Sequence, residues 1–333
     1  MNQTHGPAAI FQMLNAAQVT AVLSSAIQLD VFTQIKSASD AESVAQKIKC
    51  PARTTRILLE AMVVLGLATK EGSKYGLSPL SDEYLVPGKP MYMGDISGIL
   101  ANPMMLSGLG QLTDAIRSGG SVLKEHGETP CAPFWETFAK CSGSMSFGAA
   151  MAMDKLTGEW IEKRKHVKVL DIAAGSGIYG FTLVQKHSNV HSTELDWPNV
   201  ISETKQWAKR MHIDESRVDY LEGNLFDADY GGPYDLILMS QIYHHFDPKT
   251  CQALTRKVEK SLAPGGRVLI HDFLPGAQSP GATMFSITML AWTRQGEAYG
   301  EKDYRGWLAE AGFKNVSVHP NQGLPTSFVL AER

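Results

Sequence analysis

From about residue 166 the chain changes period. Short runs rich in aliphatic and β-branched residues, Val167 to Ile172, Val190 to Leu195, Val218 to Leu221, Leu236 to Ser240 and Arg267 to Asp272, alternate with stretches of helical spacing. Strand, helix, strand, repeated, predicts a mainly parallel sheet covered by helices on both faces, because each crossover must bury its own apolar stripe. The last two runs, Val316 to His319 and Ser327 to Ala331, are separated by a turn with Gly323 and Pro325 and no room for a crossover helix. They predict an antiparallel hairpin at the sheet edge.

The half upstream reads differently. Residues from about 8 to 100 predict helices followed by a short hairpin, opening with an amphipathic run through Phe11, Leu14, Val22, Leu23, Ile27 and Leu29. Ser39-Asp40-Ala-Glu42 is a capping signal for a second helix, and Pro51 suits the first residue of a third, Pro51 to Leu65. Two short strands around a glycine turn follow between Leu67 and Leu77, which together suggests a winged helix. A DNA-reading third helix would present basic and polar side chains, whereas this one is apolar on nearly every face after Arg53 and Arg56. The 31 Lys+Arg against 34 Asp+Glu, without a long run of one sign, likewise argue against nucleic acid or an anionic membrane as partner.

Between about 101 and 160 the chain is rich in Met and aromatics: Met104, Met105, Phe134, Trp135, Phe138, Met145, Phe147 and Met151. Core packing accounts for most of them, and as a group they suit an apolar acceptor pocket. The expected division is a winged-helix-like domain over 1–100, a helical linker contributing to the pocket over 101–160, and a cofactor-binding α/β domain over 161–333. Cys50, Cys131, Cys141 and Cys251 show no CxxC spacing and read as reduced. No basic, then apolar, leader opens the chain, and the most apolar stretch, Ile57 to Ala68, is short and interrupted by Glu60, so a cytoplasmic location is expected.

The chemistry is carried by Val169-Leu-Asp171-Ile-Ala-Ala-Gly175-Ser-Gly177-Ile-Tyr-Gly180, a strand running into a glycine-rich turn and a helix. Such a turn lies at the carboxyl edge of a doubly wound sheet, where glycines let a ligand approach the backbone. The spacing alone also fits a dinucleotide fingerprint, so a nicotinamide oxidoreductase is a rival reading. Asp171 separates the two, since an acid beside a pyrophosphate would repel it. Asp196 follows the second strand, where a carboxylate can accept both ribose hydroxyls. Glu222-Gly-Asn224-Leu225-Phe226 follows the third, and Leu262-Ala-Pro264-Gly265-Gly266 precedes the fifth.

These residues resemble the class I S-adenosylmethionine methyltransferases, whose motif is acidic-x-Gly-x-Gly-x-Gly. From roughly residue 10 to the end the chain resembles the O-methyltransferases of small hydroxylated molecules with an N-terminal winged-helix dimerisation domain. Asp196-Trp-Pro198 matches their Asp-Leu-Pro, and Met239-Ser-Gln-Ile-Tyr-His244-His245-Phe-Asp247 their catalytic-histidine stretch. The resemblance implies a seven-stranded Rossmann-like sheet, a homodimer, and S-adenosylmethionine held by Asp171, Gly175, Gly177, Asp196, Trp197, Asn224, Leu225, Ser240 and Gln241. It also implies that His244 acts as general base toward a hydroxyl, as a group titrating near neutrality should. In plant members two glutamates flank that histidine. Here His271 and about Ala298 take those places, leaving Asp247 or Asp272 as its candidate partner, and the catalytic set expected is His244, His271 and Asp272. Ala173 replaces the first motif glycine, and Ser240 stands where a lysine is common.

An acceptor pocket is expected from Phe134, Phe138, Met145, Tyr243, Met284, Met289 and Trp292, with Phe285, Leu290 and Tyr299 near the last three. It would suit an aromatic or polyketide-like molecule, and an apolar wall would equally serve a thioether. Methylation of sulfur or carbon, by proximity and desolvation without a base, is therefore the alternative. His244, His245, His271 and Asp272 together raise a metal site, but His244 and His245 are expected to point apart, and no metal is expected.

Overall fold

The computed structural model describes residues 6–276 and 279–333. The first five residues, part of the segment read above for a leader, lie outside them. The chain divides into two compact units, Met1–Asn102 and Pro103–Arg333.

In the first unit, helices Ala16–Gln28, Ala41–Lys47 and Ala52–Val64 enclose Phe32, Ile35, Val44, Leu59, Met62 and Tyr75. Asp40 caps the middle helix by accepting from the Ser43 N–H at 2.8 Å. Pro51 proves to be the residue before the third helix rather than its first, with extended backbone. Strands Ala68–Glu71 and Lys74–Leu77 form the expected hairpin, and Ser39–Asp40 adds a third strand beside the latter. On the third helix Leu59 and Met62 are buried, but Val64 is 85% and Ile57 49% exposed within the chain.

The second unit is built on a seven-stranded sheet. Its strands are β1 (Val167–Ile172), β2 (Val190–Asp196), β3 (Val218–Glu222), β4 (Tyr234–Ser240), β5 (Leu262–Asp272), β6 (Lys314–Pro320) and β7 (Ser327–Glu332). They lie in the order β3-β2-β1-β4-β5-β7-β6, the first five parallel and β7 antiparallel to both neighbours, as the alternation and the final hairpin predict. Residues of the Leu262 to Gly266 segment, expected as a turn, belong to β5, which shifts register between Leu262 and Arg267 to pass them.

Helices α1 (Pro133–Glu162), α2 (Ile178–Lys186), α3 (Pro198–Arg210), α4 (Pro248–Ser261), α5 (Pro280–Trp292) and α6 (Glu301–Ala311) surround the sheet, and two shorter helices, Pro103–Gly110 and Leu112–Ser118, precede them. Strand side chains alternate between faces. Val169, Leu236, Leu238 and Leu269 pack with Phe181 and Met153 on one, while Leu170, Ile237, Val268 and Ile270 pack with Tyr243, Tyr304 and Leu308 on the other. Among the described residues no single helix is long and apolar enough to cross a membrane. Only Pro7–Leu14 and Ala16–Gln28 taken together, bent by 42°, pass that test by length and composition.

Candidate active site

The carboxyl ends of β1 to β5 carry the residues singled out from the sequence. After β1 the backbone enters a turn in which Ala173, Gly175 and Gly177 have φ of 58°, 56° and 73°. Left-handed backbone favours glycine, so Ala173 is strained where the sequence departs from the motif. A Cβ on Gly177 would stand 2.5 Å from Phe181 and 2.8 Å from Thr204, whereas one on Gly175 would meet nothing within 4 Å. Gly177 thus lets α2 pack close, and Gly175 faces open space.

Two carboxylates tie this turn down. Asp196 accepts from the Gly175 N–H at 2.8 Å and the Trp197 N–H at 2.7 Å, and desolvation raises its pKa to about 6. Asp171, fully buried, accepts from the Gly180 N–H at 3.2 Å and is also pushed upward, first by burial. Asn224 turns its side-chain oxygen to the Phe226 N–H at 2.9 Å, which leaves its NH2 as the group for a ligand. The Leu225 carbonyl accepts from the Tyr230 hydroxyl and from Lys257. At the end of β4, Ser240 Oγ is buried without a partner among the described residues. Gln241 follows at φ 58°, its N–H donating to the His271 carbonyl.

Behind this edge stands a second constellation. His244 Nδ1 lies 2.5 Å from Asp272 Oδ1, both side chains buried. Asp272 Oδ2 accepts from the Tyr304 hydroxyl at 2.9 Å, and Oδ1 also accepts from the Phe273 N–H at 2.8 Å. With Nδ1 donating to the carboxylate, the neutral imidazole carries its lone pair on Nε2. The partner of His244 is therefore Asp272. Asp247 instead caps α4, accepting from the Lys249 and Thr250 N–H groups.

His271 is not part of this constellation. As the neighbour of Asp272 in a strand it faces the opposite side, between the Tyr179 hydroxyl at 3.0 Å and the Thr326 hydroxyl at 2.9 Å, stacked on Phe328. Burial lowers its pKa to about 4. Nor do His244 and His245 point apart, since their rings stand 4.5 Å centre to centre. His245 is buried with Nδ1 unpartnered among the described residues, and desolvation followed by the neighbouring His244 holds its pKa well below the free value.

Aromatic side chains line the approach. Phe285 meets the His244 ring edge-on at 4.8 Å and stacks on Phe273 at 3.8 Å. Trp135 and Trp292 stand 5.3 Å and 5.9 Å from the His245 ring, with Phe134 at 4.5 Å from Trp292 and Phe138 at 6.1 Å from Phe134. Met289 is buried nearby on α5. The remaining pocket expectations are not met within the chain. Tyr243 belongs to the core, bonded to Thr255 and stacked on Trp307, while Met145 and Met284 are exposed, the latter by 64%. Trp135 and Phe285 lay in the aromatic stretches already noted, whereas no motif marks Tyr304.

The O-methyltransferase domain model matches residues 141–314, and the O-methyltransferase dimerisation domain model matches residues 11–87. The chain belongs to the O-methyltransferase family. A Nostoc punctiforme protein provisionally described as an O-methyltransferase superposes with a TM-score of 0.92 at 33% identity, covering 99% of this chain and 100% of that one. The tetracenomycin polyketide synthesis 8-O-methyl transferase TcmO of Streptomyces glaucescens is 26% identical over 96% of this chain and 95% of its own. The 3-hydroxy-5-methyl-1-naphthoate 3-O-methyltransferase of Streptomyces sahachiroi is 26% identical over 89% of this chain and 86% of its own. S-adenosylmethionine is the cofactor this membership brings, and the edge of this O-methyltransferase fits it. Gly175 leaves open space, Asp196 ends β2, and the buried Ser240 hydroxyl has no partner among the described residues.

Proposed function

We propose that this O-methyltransferase methylates a hydroxyl of a small aromatic or polyketide-like molecule, with His244 as general base. The observation that carries the reading is the chain Tyr304–Asp272–His244, which fixes the tautomer and leaves Nε2 basic. S-adenosylmethionine, when bound, supplies an electrophilic methyl group. We assign its binding to Asp171, Gly175, Gly177, Asp196, Trp197, Asn224, Leu225, Ser240 and Gln241 at the carboxyl edge. His244 Nε2 takes the proton of the attacking hydroxyl, and Asp272 stabilises the imidazolium that forms, as in other carboxylate-oriented histidines.

Phe134, Phe138, Trp135, Phe285, Met289 and Trp292 form the wall against which the acceptor ring lies, excluding water and aligning the two reactants. The relatives whose names specify a tetracenomycin polyketide or a naphthoate support an aromatic acceptor. The matched dimerisation domain, with Ile10, Phe11, Met13 and Leu14 exposed in the single chain, supports a homodimer. A light-scattering mass of one chain would contradict it.

The deciding experiment transfers labelled methyl to a panel of phenols, thiols, thioethers and activated carbon acids, beside His244→Ala. A methylated hydroxyl whose formation the variant slows roughly 100-fold or more is expected. Turnover confined to sulfur or carbon, or a variant with undiminished rate, would overturn the assignment.

A further inference from the structure

The parallel register sets Asp171 of β1 beside Glu194 of β2, and Glu194 beside Tyr220 of β3. The three side chains share one face of the sheet, directly under the glycine-rich turn. Both carboxyl groups are buried, Asp171 at 1% and Glu194 at 0% exposure. Asp171 Oδ2 accepts from the Gly180 N–H, and Glu194 Oε1 accepts from the Ser192 hydroxyl at 2.6 Å. The other two oxygens, Asp171 Oδ1 and Glu194 Oε2, receive no donor from the described residues, although the two side chains interact with each other.

Among the described residues no cation acts on this pair. The groups that face it are Ser192 and Asp196 from β2, Tyr220 from β3, and Tyr179 with the Gly180 N–H from α2. Two carboxylates in contact away from water do not both ionise, since repulsion and lost hydration oppose the second charge. A single proton between Oδ1 and Oε2 turns one into a donor and the other into an acceptor, and satisfies both orphaned oxygens at once. A hydrogen bond to a charged acceptor of this kind is short and strong.

The pair is also packed tightly against the turn. A Cβ on Gly180 would stand 2.2 Å from Glu194 Oε1 and 2.5 Å from Ser192 Oγ, so the Glu194 carboxyl fills the space beneath the start of α2. We propose that Glu194 is a positioning residue for the cofactor turn. By sharing one proton with Asp171, it holds that carboxylate under the Gly180 N–H and keeps Ala173–Gly180 in the shape that admits the cofactor. This role is independent of the one assigned to His244.

Two variants and one spectrum test it. Glu194→Gln keeps the shape and donates permanently to Asp171, whereas Glu194→Leu keeps the bulk and donates nothing. Binding of S-adenosylhomocysteine, measured by calorimetry, is expected to stay within about three-fold of wild type in the first and to weaken by about ten-fold or more in the second, as loss of a buried hydrogen bond to a charged group implies. The infrared spectrum of the wild type at neutral pH is expected to carry the carbonyl band of a protonated carboxylic acid, absent from Glu194→Gln. If Glu194→Leu does not fold, the glutamine variant and the spectrum still decide. Glutamine weakening binding as much as leucine, leucine binding like wild type, or a wild-type spectrum without that band would each overturn the proposal.

Discussion

Asp272 uses both of its oxygens. One holds His244 and the Phe273 N–H, the other receives the Tyr304 hydroxyl. Asp272→Asn keeps the volume but offers His244 an amide that can stabilise the wrong tautomer, so kcat is expected to fall about 100-fold or more with KM for the acceptor little changed. Tyr304→Phe removes one donor from the carboxylate and is expected to cost about 1 kcal/mol of stability, read from a denaturant midpoint. It should also loosen the carboxylate that orients His244 and lower kcat, read from steady-state kinetics. At this scale the placement of residues was legible where the signal is local. Asp171, Gly177 and Asp196 sit in one strand-turn-helix signature or directly after a strand. Tyr304 was not legible, because its partner is 32 residues away and meets it only once α6 packs on the sheet. His271 was misread for a related reason: a one-residue offset along a strand exchanges the faces of the sheet.

At the scale of elements, strand ends and one loop fix the site. The segment after α5 closes on His244. A Cβ on Gly296 would stand 2.2 Å from the His244 carbonyl oxygen and 2.8 Å from the His245 carbonyl carbon, while the Gly296 N–H donates to Thr293. Backbone atoms cannot yield as a side-chain tip can. Gly296→Ala is therefore expected to displace His244 and lower kcat by at least about ten-fold while the melting temperature drops by a few degrees, measured by steady-state kinetics and a thermal melt. The parallel strands and the antiparallel hairpin at the sheet edge followed from the βα alternation and the closing strand pair. The position of Gly296 did not, since one glycine in a loop carries no signal until the histidine loop lies against it.

Over the whole molecule, buried ionisable groups pull stability in two directions. The Asp171–Glu194 pair and Asp196 hold protons above the range of free carboxyls, so the folded chain binds more protons than the unfolded one there, and stability falls as pH rises through their folded pKa values. His245 and His271 are held below the free imidazole range. The folded chain then binds fewer protons, and their contribution is lost as pH falls from about 6.5. The two effects oppose each other in mildly acidic solution, and above neutrality only the carboxyl pair remains. The melting temperature is expected to decline by about 3 °C between pH 7 and 9, and Glu194→Gln should flatten that decline. A wild-type melting temperature constant over this range would count against the raised carboxyls.

Trp292, Thr293 and Gly296 lie within five successive positions, so the ring wall and the brace behind the histidine are one piece of chain. Widening the chamber at Trp292 loosens the brace, and a bulkier ring pressing on the tryptophan strains it. On the proposed reading, acceptor range and turnover are in this way mechanically linked. Phe134, whose ring meets Trp292 edge-on at 4.5 Å, shares in that coupling, so a change of acceptor made at this wall requires the loop to be re-tuned with it.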